Sequence, residues 1–151
     1  MEVQFGTPGM IESWMELVAL VSWNFPGLET REALEEHRET VLNFMSRRQA
    51  LCVRRGDQVV GVLLLSRKRN MICCLAVHPN FRRQGIAAAL LQTALGCLDS
   101  SRPVIVTTFR SEDEKGAAPR ALYRRFGFQE GRLFEELDYP VQELVMPPRE
   151  E

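Results

Sequence analysis

The spacing of apolar residues along the chain predicts four helices. Near the N-terminus, Ile11, Trp14 and Val18 recur at the interval of a helical turn, which places them on one face. Thr30 suits the N-cap of a second helix, because its hydroxyl can accept a hydrogen bond from a backbone N–H of the first turn, and Glu32 follows in that turn. The predicted helices cover residues 10–23, a segment beginning near Thr30, residues 84–98 and residues 119–126.

Runs rich in apolar and β-branched residues predict strands between these helices. Ala50–Arg54 and Val59–Leu65 flank a Gly56-Asp57 turn, which is typical of a β-hairpin. The other predicted strands are Glu2–Phe5, Met71–Val77, Val104–Phe109, Phe128–Phe134 and Val141–Met146. Because strands and helices alternate in a mixed order, the pattern favours an α/β fold with a mixed sheet.

Length and composition indicate one globular domain. The chain has 151 residues, 45% of them hydrophobic and 26% charged, a balance that excludes a disordered or collagen-like chain. We expect a single domain over residues 1–148 and a short tail at residues 149–151. No apolar run approaches the ~20 residues of a membrane helix, and no secretory signal is visible at the N-terminus. We therefore expect a cytoplasmic protein with no membrane partner.

The cysteines and histidines give little support to a metal site. There are four cysteines and two histidines, and no C-x-x-C spacing occurs. The sequence therefore predicts no metal, and the cysteines are interpreted as reduced, half-buried core residues. His78 is interpreted as a structural turn residue, and His37, on the polar face of a helix, as solvated.

Charge is distributed unevenly along the chain. Residues 1–46 hold eight acidic and two basic residues, whereas residues 47–83 hold nine basic residues and Asp57. The formal net charge of −1 argues against a nucleic-acid binder, which usually has an overall basic excess. The positive middle segment suits a compact polyanion better, although solvated turns would have the same composition.

A strand–turn–helix segment carries the candidate chemistry. The strand end Leu75–Val77 leads into a turn containing Arg82 and Arg83, and Gly85 opens the long helix. Backbone N–H groups in the first turn of a helix lack intrahelical partners, and together with the helix dipole they favour an anion. Gly85 and the small Ala87 would let a phosphate approach the backbone. The pattern is neither a dinucleotide-binding fingerprint nor a P-loop.

At these residues the chain resembles the GNAT superfamily of N-acetyltransferases. The family's phosphate-loop pattern, R/Q-x-x-G-x-G/A, is matched by Arg82, Gly85 and Ala87. Downstream, L-Y-R-R-F-G-F at residues 122–128 is similar to the family's L-Y-x-x-x-G-F. The two motifs occur in the family's order. The resemblance implies a mixed, mostly antiparallel central sheet of 6–7 strands flanked by about four helices.

The resemblance also implies acetyl-CoA as cosubstrate and a role for each motif. The backbone of the strand end hydrogen-bonds the pantetheine arm and orients the acetyl carbonyl, and the following loop cradles the pyrophosphate. The cofactor-binding residues are then Leu75, Ala76, Val77, Arg82, Arg83, Gln84, Gly85, Ile86, Ala87 and Ala88. Tyr123 would be the general acid that protonates the departing thiolate, since a thiolate with a pKa near ~8.5 is a poor enough leaving group to benefit from a phenol with a pKa of ~10.

Some positions depart from the family's pattern. Gly116 stands where many members carry an Asn seven residues before the tyrosine, and Pro119 replaces a small residue. Some relatives have a glutamate base on the strand that corresponds to Val104–Phe109, which contains no acidic residue. The general base therefore stays open. The candidate carboxylates are Glu112, Asp113, Glu114, Glu135, Glu136 and Asp138.

The acceptor is predicted only as a class. The resemblance places its binding side at the first two helices and at the connection between the last two strands. These segments offer Trp23, Phe25, Glu135, Glu136, Asp138 and Tyr139. Acidic and aromatic side chains together suit a cationic amine with an apolar body, although an ordinary acidic rim would look the same. The expected partner is a small-molecule or peptide amine, with the protein a monomer or a homodimer.

Two functions follow from the sequence. The first is an N-acetyltransferase that works by direct attack of a primary amine on acetyl-CoA. The alternative is a non-catalytic acyl-CoA-binding or sensing module that retains the phosphate loop. Tyr123 favours the enzyme, because a binding module does not need a general acid.

Overall fold

The helices and strands follow each other in the predicted order. The computed structural model describes residues 1–22, 25 and 27–149, so Trp23 on the predicted acceptor side lies outside the described residues. The elements are β1 (Gln4–Phe5), α1 (Ile11–Leu20), α2 (Arg31–Ser46), β2 (Ala50–Arg55), β3 (Gln58–Ser66), β4 (Met71–Val77), α3 (Ile86–Cys97), β5 (Val104–Phe109), α4 (Ala117–Arg125), β6 (Gln129–Glu136) and β7 (Tyr139–Met146). In the described part of the chain, no helix is both long and apolar enough to cross a membrane.

The described strands form one seven-stranded sheet in the order β1-β2-β3-β4-β5-β7-β6. Strand β2 pairs antiparallel with β1 and β3, and β7 pairs antiparallel with β5 and β6. Strand β4 pairs parallel with β5, with Met71 opposite Ile105 and Ile72 opposite Val106. The predicted α/β fold, with a mixed and mostly antiparallel sheet and four helices, is confirmed.

Local backbone conformation explains where the helices differ from the prediction. Thr30 is the N-cap of α2 as expected, since its Oγ1 accepts a hydrogen bond from the Ala33 N–H at 3.0 Å. Helix α3 begins at Ile86 rather than at residue 84, because Arg83 and Gly85 have φ angles of 63° and 80°, which a right-handed helix excludes. Helix α4 begins two residues before Pro119, which is tolerated because the proline nitrogen lies in the first turn.

Contacts divide the chain into two compact units, of which the first comprises Met1–Leu65 and Cys74–Ala94. Its core packs the apolar faces of α1 and α2 on the sheet. The completely buried side chains there include Trp14, Val41, Cys52 and Val62, each with 0% exposure. Burial raises the pKa of the Cys52 thiol to about 11, so this cysteine is an inert core residue as predicted.

The second unit comprises Ser66–Cys73 and the chain from Leu95 onward. Asn70, directly before β4, is 1% exposed and has a φ of 54°. Its Oδ1 accepts from the Asp99 N–H at 2.8 Å, and its Nδ2 donates to the Asp99 and Pro103 carbonyls, each at 3.0 Å. These bonds join the start of β4 to the loop before β5.

The predicted tail is also held at its first residue, because the Arg149 N–H donates to the Ser100 carbonyl.

Two interpretations of individual side chains are wrong. Cys73 is exposed rather than half-buried. His37 is not solvated: it is half-buried, and its Nε2 is enclosed without a hydrogen-bond partner among the described residues. Helical periodicity identified its face of α2 as polar, but only the fold shows that this part of the helix is covered. Burial lowers the pKa of His37 from its usual 6.5, because the charged imidazolium loses hydration.

We expect His37 to make the protein less stable in mild acid. With a folded-state pKa below 6.5, the unfolded chain binds the proton more tightly, so the free energy of unfolding falls as the pH drops below about 6.5. Urea unfolding between about pH 7.5 and pH 5.5 measures this, and His37→Leu should show a flatter dependence. Equal pH dependence in the two proteins would contradict the assignment.

Candidate active site

The predicted pantetheine-binding residues lie at the end of β4. Ala76 is 9% exposed and belongs to the core beneath α1 and α2, whereas Leu75 and Val77 are half-buried. Successive side chains of a strand point to opposite faces, so Leu75 and Val77 share the face opposite Ala76. The His78 N–H donates to the Val60 carbonyl at 2.8 Å, which ties the strand end to β3.

His78 shapes the turn that follows. Its Nδ1 accepts from the Asn80 N–H at 3.1 Å, and its carbonyl accepts from the Phe81 N–H at 2.9 Å. The imidazole also meets the Phe81 ring edge-on at 5.2 Å. These contacts support the interpretation of His78 as a turn residue, and they hold the 3-10 helix Pro79–Phe81 that leads into the loop.

The predicted phosphate loop is exposed and has an unusual backbone. Arg82, Arg83, Gln84 and Gly85 are all exposed. The left-handed φ of 80° at Gly85 favours glycine, and a Cβ added there would meet nothing within 4 Å. Arg83 adopts a φ of 63° although it is not glycine, a conformation that occurs mostly in turns and at functional sites. The loop therefore presents open space beside two cations.

The first turn of α3 has no capping side chain from its own N-cap position. The first intrahelical bond runs from the Ala89 N–H to the Gly85 carbonyl at 3.0 Å, so the N–H groups of Ile86, Ala87 and Ala88 precede the helical hydrogen-bond pattern. Glycine cannot cap these donors, whereas Thr30 caps α2. Ile86 is buried and Ala87 and Ala88 are half-buried, so this end of α3 is well suited to bind an anion.

A third arginine lies beside this loop. Arg55, at the end of β2, donates from Nη2 to the Gln84 Oε1 at 3.3 Å. The sequence shows this arginine only as part of a hairpin turn about thirty residues earlier. Its contact with Gln84 adds positive charge at the loop, where a polyanion would benefit from it.

Gly61 of β3 is where α3 packs on the sheet. A Cβ added at Gly61 would lie 2.5 Å from the Ile86 Cγ2 and 3.1 Å from the Leu90 Cδ1. A Cβ atom is essentially never found within 3.0 Å of a non-bonded heavy atom, so a side chain there would push α3 away. The glycine therefore sets the position of the helix whose first-turn N–H groups form the candidate anion site.

We expect Gly61→Ala to weaken both stability and anion binding. Overpacking of this kind costs about 1–3 kcal/mol of unfolding free energy, and movement of Ile86 should weaken binding of coenzyme A several-fold. Urea unfolding and calorimetric titration measure the two effects. Gly96→Ala is the control, because a Cβ at Gly96 meets nothing within 4 Å. Equal behaviour of the two variants would contradict this role of Gly61.

Tyr123 lies on α4 and is 4% exposed. Its ring meets the Phe128 ring edge-on at 5.5 Å, and its carbonyl accepts the Phe128 N–H at 3.0 Å. Gly127, with a φ of 103°, ends the helix and turns the chain so that Phe128 returns to the tyrosine. The L-Y-x-x-x-G-F motif thus holds the tyrosine ring in one orientation.

A buried arginine near Tyr123 was missed by the sequence analysis. Arg120 is 6% exposed, and its Nη1 donates to the Phe109 carbonyl at 3.0 Å and to the Gln142 Oε1 at 2.8 Å. Its Nη2 donates to the Glu130 Oε2 at 2.6 Å. The guanidinium therefore joins α4 to β5, β7 and β6. No local pattern distinguishes it from the exposed arginines at residues 124 and 125.

The structure also explains the missing asparagine. A Cβ at Gly116 would lie 2.8 Å from the Phe109 Cβ and 3.4 Å from the Arg120 Cδ. Any side chain at this position would collide with the end of β5. The close packing of this turn on Phe109 therefore requires glycine.

Asp113 is a weak candidate for the general base. Its Oδ2 accepts the Tyr139 hydroxyl at 2.6 Å, and its Oδ1 accepts the Lys115 N–H at 3.0 Å. The hydrogen bond from Tyr139 is the main reason why the pKa of Asp113 is lowered. The Asp113 carboxylate therefore binds a proton less readily. The other carboxylates proposed from the sequence, Glu112, Glu114, Glu135, Glu136 and Asp138, are exposed.

Within the described ranges, no cluster of three or more His, Cys, Asp or Glu side chains could hold a metal ion.

Comparisons with known proteins give the fold and the family. A solved N-acetyltransferase of Staphylococcus aureus is 14% identical, with a TM-score of 0.77 and coverage of 97% of this chain and 100% of that chain. PaiA N-acetyltransferase of Thermoplasma acidophilum, solved with coenzyme A, is 16% identical, with a TM-score of 0.68 and coverage of 94% and 96%. Ribosomal-protein-alanine N-acetyltransferase of Brucella melitensis is 19% identical, with a TM-score of 0.72 and coverage of 97% and 99%.

The likeness to these structures shows a shared fold. No curated protein sequence matches the chain. The family model described as acetyltransferase (GNAT) domain matches residues 46–130, a segment that includes β4, the phosphate loop, α3 and the tyrosine motif. Since this match covers more than half of the chain, the protein belongs to the GNAT acetyltransferases, a family that uses acetyl-CoA.

Proposed function

We propose that the protein transfers the acetyl group of acetyl-CoA to a primary amine by direct attack. The observation that carries the proposal is the start of α3, where Gly85, at a φ of 80°, leaves the first-turn N–H groups without a side-chain cap beside Arg82 and Arg83. Such a site has the charge and the donors to hold the pyrophosphate of coenzyme A.

The residues that bind each part of the cofactor are proposed from the family pattern. The backbone N–H groups from Arg83 to Ala88 bind the pyrophosphate. The backbone of Leu75–Val77 pairs with the amides of the pantetheine arm, as an added strand pairs with a sheet edge, and orients the acetyl carbonyl. The solved complex of PaiA with coenzyme A supports the choice of cofactor within this fold.

The chemistry removes two protons from the attacking nitrogen and supplies one to the departing sulfur. An alkyl amine with a pKa near ~10.4 is neutral in only about one molecule in 2,500 at pH 7, so a carboxylate acting through water, or desolvation, must release its proton. The neutral nitrogen attacks the thioester carbon and forms the C–N bond. The C–S bond then breaks, and the Tyr123 hydroxyl protonates the departing sulfur. The second proton of the nitrogen is lost and restores the Tyr123 phenolate to the phenol.

A non-catalytic acyl-CoA-binding module is the second candidate. Gly116 favours it, because it replaces a cofactor-contacting Asn of many relatives and cannot carry a side chain without a collision with Phe109. Val104–Phe109 also lacks an acidic residue. Such a module would bind acetyl-CoA without consuming it.

Chromatographic detection of coenzyme A tests the proposal. The protein is incubated with acetyl-CoA and pools of polyamines, amino acids, aminoglycosides, amino-acid amides and short peptides. Chromatography avoids thiol dyes, which would react with exposed Cys73. Amine-dependent release of coenzyme A is the expected result. Tight binding of acetyl-CoA with no release from any pool would favour the binding module, and absence of binding would reject both candidates.

A further inference from the structure

A small groove lies between α1 and the adjoining ends of β3 and β4. Its volume is about 150 Å³, and it is lined by Ser13, Glu16, Leu17, Leu20, Gln58, Val59 and His78. All of these residues belong to the first compact unit. The groove is separate from the loop at Arg82–Gly85, and nothing in the derived chemistry uses its side chains.

Four of the side chains that line this groove are polar. Glu16 provides an exposed carboxylate, which accepts hydrogen bonds only. The Nδ1 of His78 already accepts from the Asn80 N–H, so the neutral ring carries its hydrogen on Nε2 and can donate there. The Ser13 Oγ accepts from the Val59 N–H at 2.8 Å, and the amide of Gln58 can both donate and accept.

The apolar side of the groove comes from α1. Leu17 is 2% exposed and forms the floor, whereas Leu20 is 48% exposed at the rim. Leu20 is one of few large apolar side chains in the described part of the chain that are exposed to this extent. A ligand with a short apolar side chain would cover it and gain free energy from its burial.

The charge and size of the groove restrict the ligand. Glu16 is the only acidic residue among those described that line it, and no Lys or Arg does so. One carboxylate favours one ammonium group, whereas a polyamine needs several acceptors. A carboxylate on the ligand would be repelled by Glu16 and would find no cation in the groove. A carbonyl oxygen, in contrast, can accept from the His78 Nε2–H.

From these observations we propose that the groove binds the α-ammonium end of a peptide or amino-acid amide. Glu16 binds the ammonium, the His78 Nε2–H donates to the neighbouring carbonyl, and Leu17 and Leu20 contact the side chain. This inference rests on the proposed function and names its acceptor class.

The position of His78 connects this groove to the transfer reaction. His78 directly follows Val77, and the Cα atoms of consecutive residues are about 3.8 Å apart. In the proposed function the backbone of Leu75–Val77 pairs with the pantetheine arm and orients the acetyl carbonyl. An α-amine bound beside His78 therefore lies next to the chain segment that presents the acetyl group.

Leucinamide is the probe that tests this inference. It is titrated calorimetrically into the protein saturated with coenzyme A, which lacks the acetyl group and so permits no turnover, and also into the protein alone. Leucine and spermidine are titrated in the same way. Glu16→Gln removes the carboxylate, and Glu12→Gln, on the same helix but outside the groove, is the control with the same change of charge.

We expect leucinamide to bind several-fold more tightly than leucine or spermidine, and Glu16→Gln to weaken its binding by about two- to fivefold, the usual effect of losing an exposed ion pair. Glu12→Gln should bind like the natural protein, because its exposed ion pair with Arg38 contributes little. Leu20→Ala should reduce the preference for leucinamide over glycinamide.

Several results would overturn the inference. Leucinamide does not bind in the first of these results, and in the second leucine or spermidine binds as tightly as leucinamide. In the third, the Glu16 and Glu12 substitutions have equal effects. The proposed function can fail while the inference about the groove stands. This is the result if no amine causes release of coenzyme A but leucinamide still binds in a Glu16-dependent manner. If polyamines are acetylated without any dependence on Glu16, the acceptor class is wrong and acetyl transfer is right.

Discussion

Replacing Gly85 by Asp should abolish binding of acetyl-CoA. The new carboxylate would stand at the start of α3, where a Cβ has open space around it and where the pyrophosphate is proposed to bind. Two unit charges of the same sign about 4 Å apart repel by about 4 kcal/mol at an effective dielectric constant of ~20, which corresponds to a loss of affinity of roughly a thousandfold. The φ of 80° adds strain for any residue other than glycine.

Calorimetric titration with acetyl-CoA measures this loss. Gly96→Asp is the matched control, because Gly96 lies near the other end of the same helix, is exposed and has nothing within 4 Å of its Cβ position. Gly85→Ala separates strain from charge and should weaken binding less than Gly85→Asp. Unchanged affinity in Gly85→Asp would show that the phosphate loop is misassigned.

Replacing Tyr123 by Phe should lower kcat by about 10²–10⁴, the usual contribution of one general acid, while the affinity for acetyl-CoA is preserved. The substitution removes only the hydroxyl that is proposed to protonate the departing sulfur. The ring should keep its edge-on contact with Phe128, which lies 5.5 Å away between centroids, so the fold should persist.

Three measurements on this variant separate chemistry from structure. Steady-state kinetics with the best amine from the acceptor screen gives kcat and KM, calorimetry gives the affinity for acetyl-CoA, and thermal unfolding reports stability. We expect a lower kcat with little change in the other two. Full activity in Tyr123→Phe would refute the general-acid role, and a large loss of stability would assign the tyrosine to the core instead.

The position of Gly85 at the start of α3 could be predicted from sequence because its signal is local. Gly85 at a helix start, small residues after it and basic residues before it specify a backbone conformation within a few residues. Strand β4 and the N-cap at Thr30 were predicted to the residue for the same reason, since apolar runs and caps act over short distances.

Other parts of the site depend on contacts between distant segments. The hydrogen bond from Arg55 to Gln84 spans 29 residues, and that from Tyr139 to Asp113 spans 26. Arg120 is also beyond sequence reasoning, because the acceptors around its guanidinium come from three separate strands. Likewise, periodicity identified the polar face on which His37 lies but not its burial, which arises only when α2 packs into the fold.

The groove proposed to bind the amine likewise could not be predicted from the sequence. Glu16 lies on the polar face of an amphipathic helix, and its sequence context resembles that of any solvated glutamate. Only the approach of Gln58 and His78 to α1 makes it part of a groove. The proposed site for the amine therefore depends on tertiary packing, whereas the proposed site for the cofactor depends mainly on the local backbone.

The most direct test of the central claim is a titration of the isotopically labelled protein with coenzyme A, followed by the amide resonances in two-dimensional NMR spectra. If the start of α3 binds the pyrophosphate, the largest shifts should occur at the amides of Arg83–Ala88, with a second group at Leu75–Val77. Largest shifts at any other surface, or none at saturating coenzyme A, would contradict the assignment.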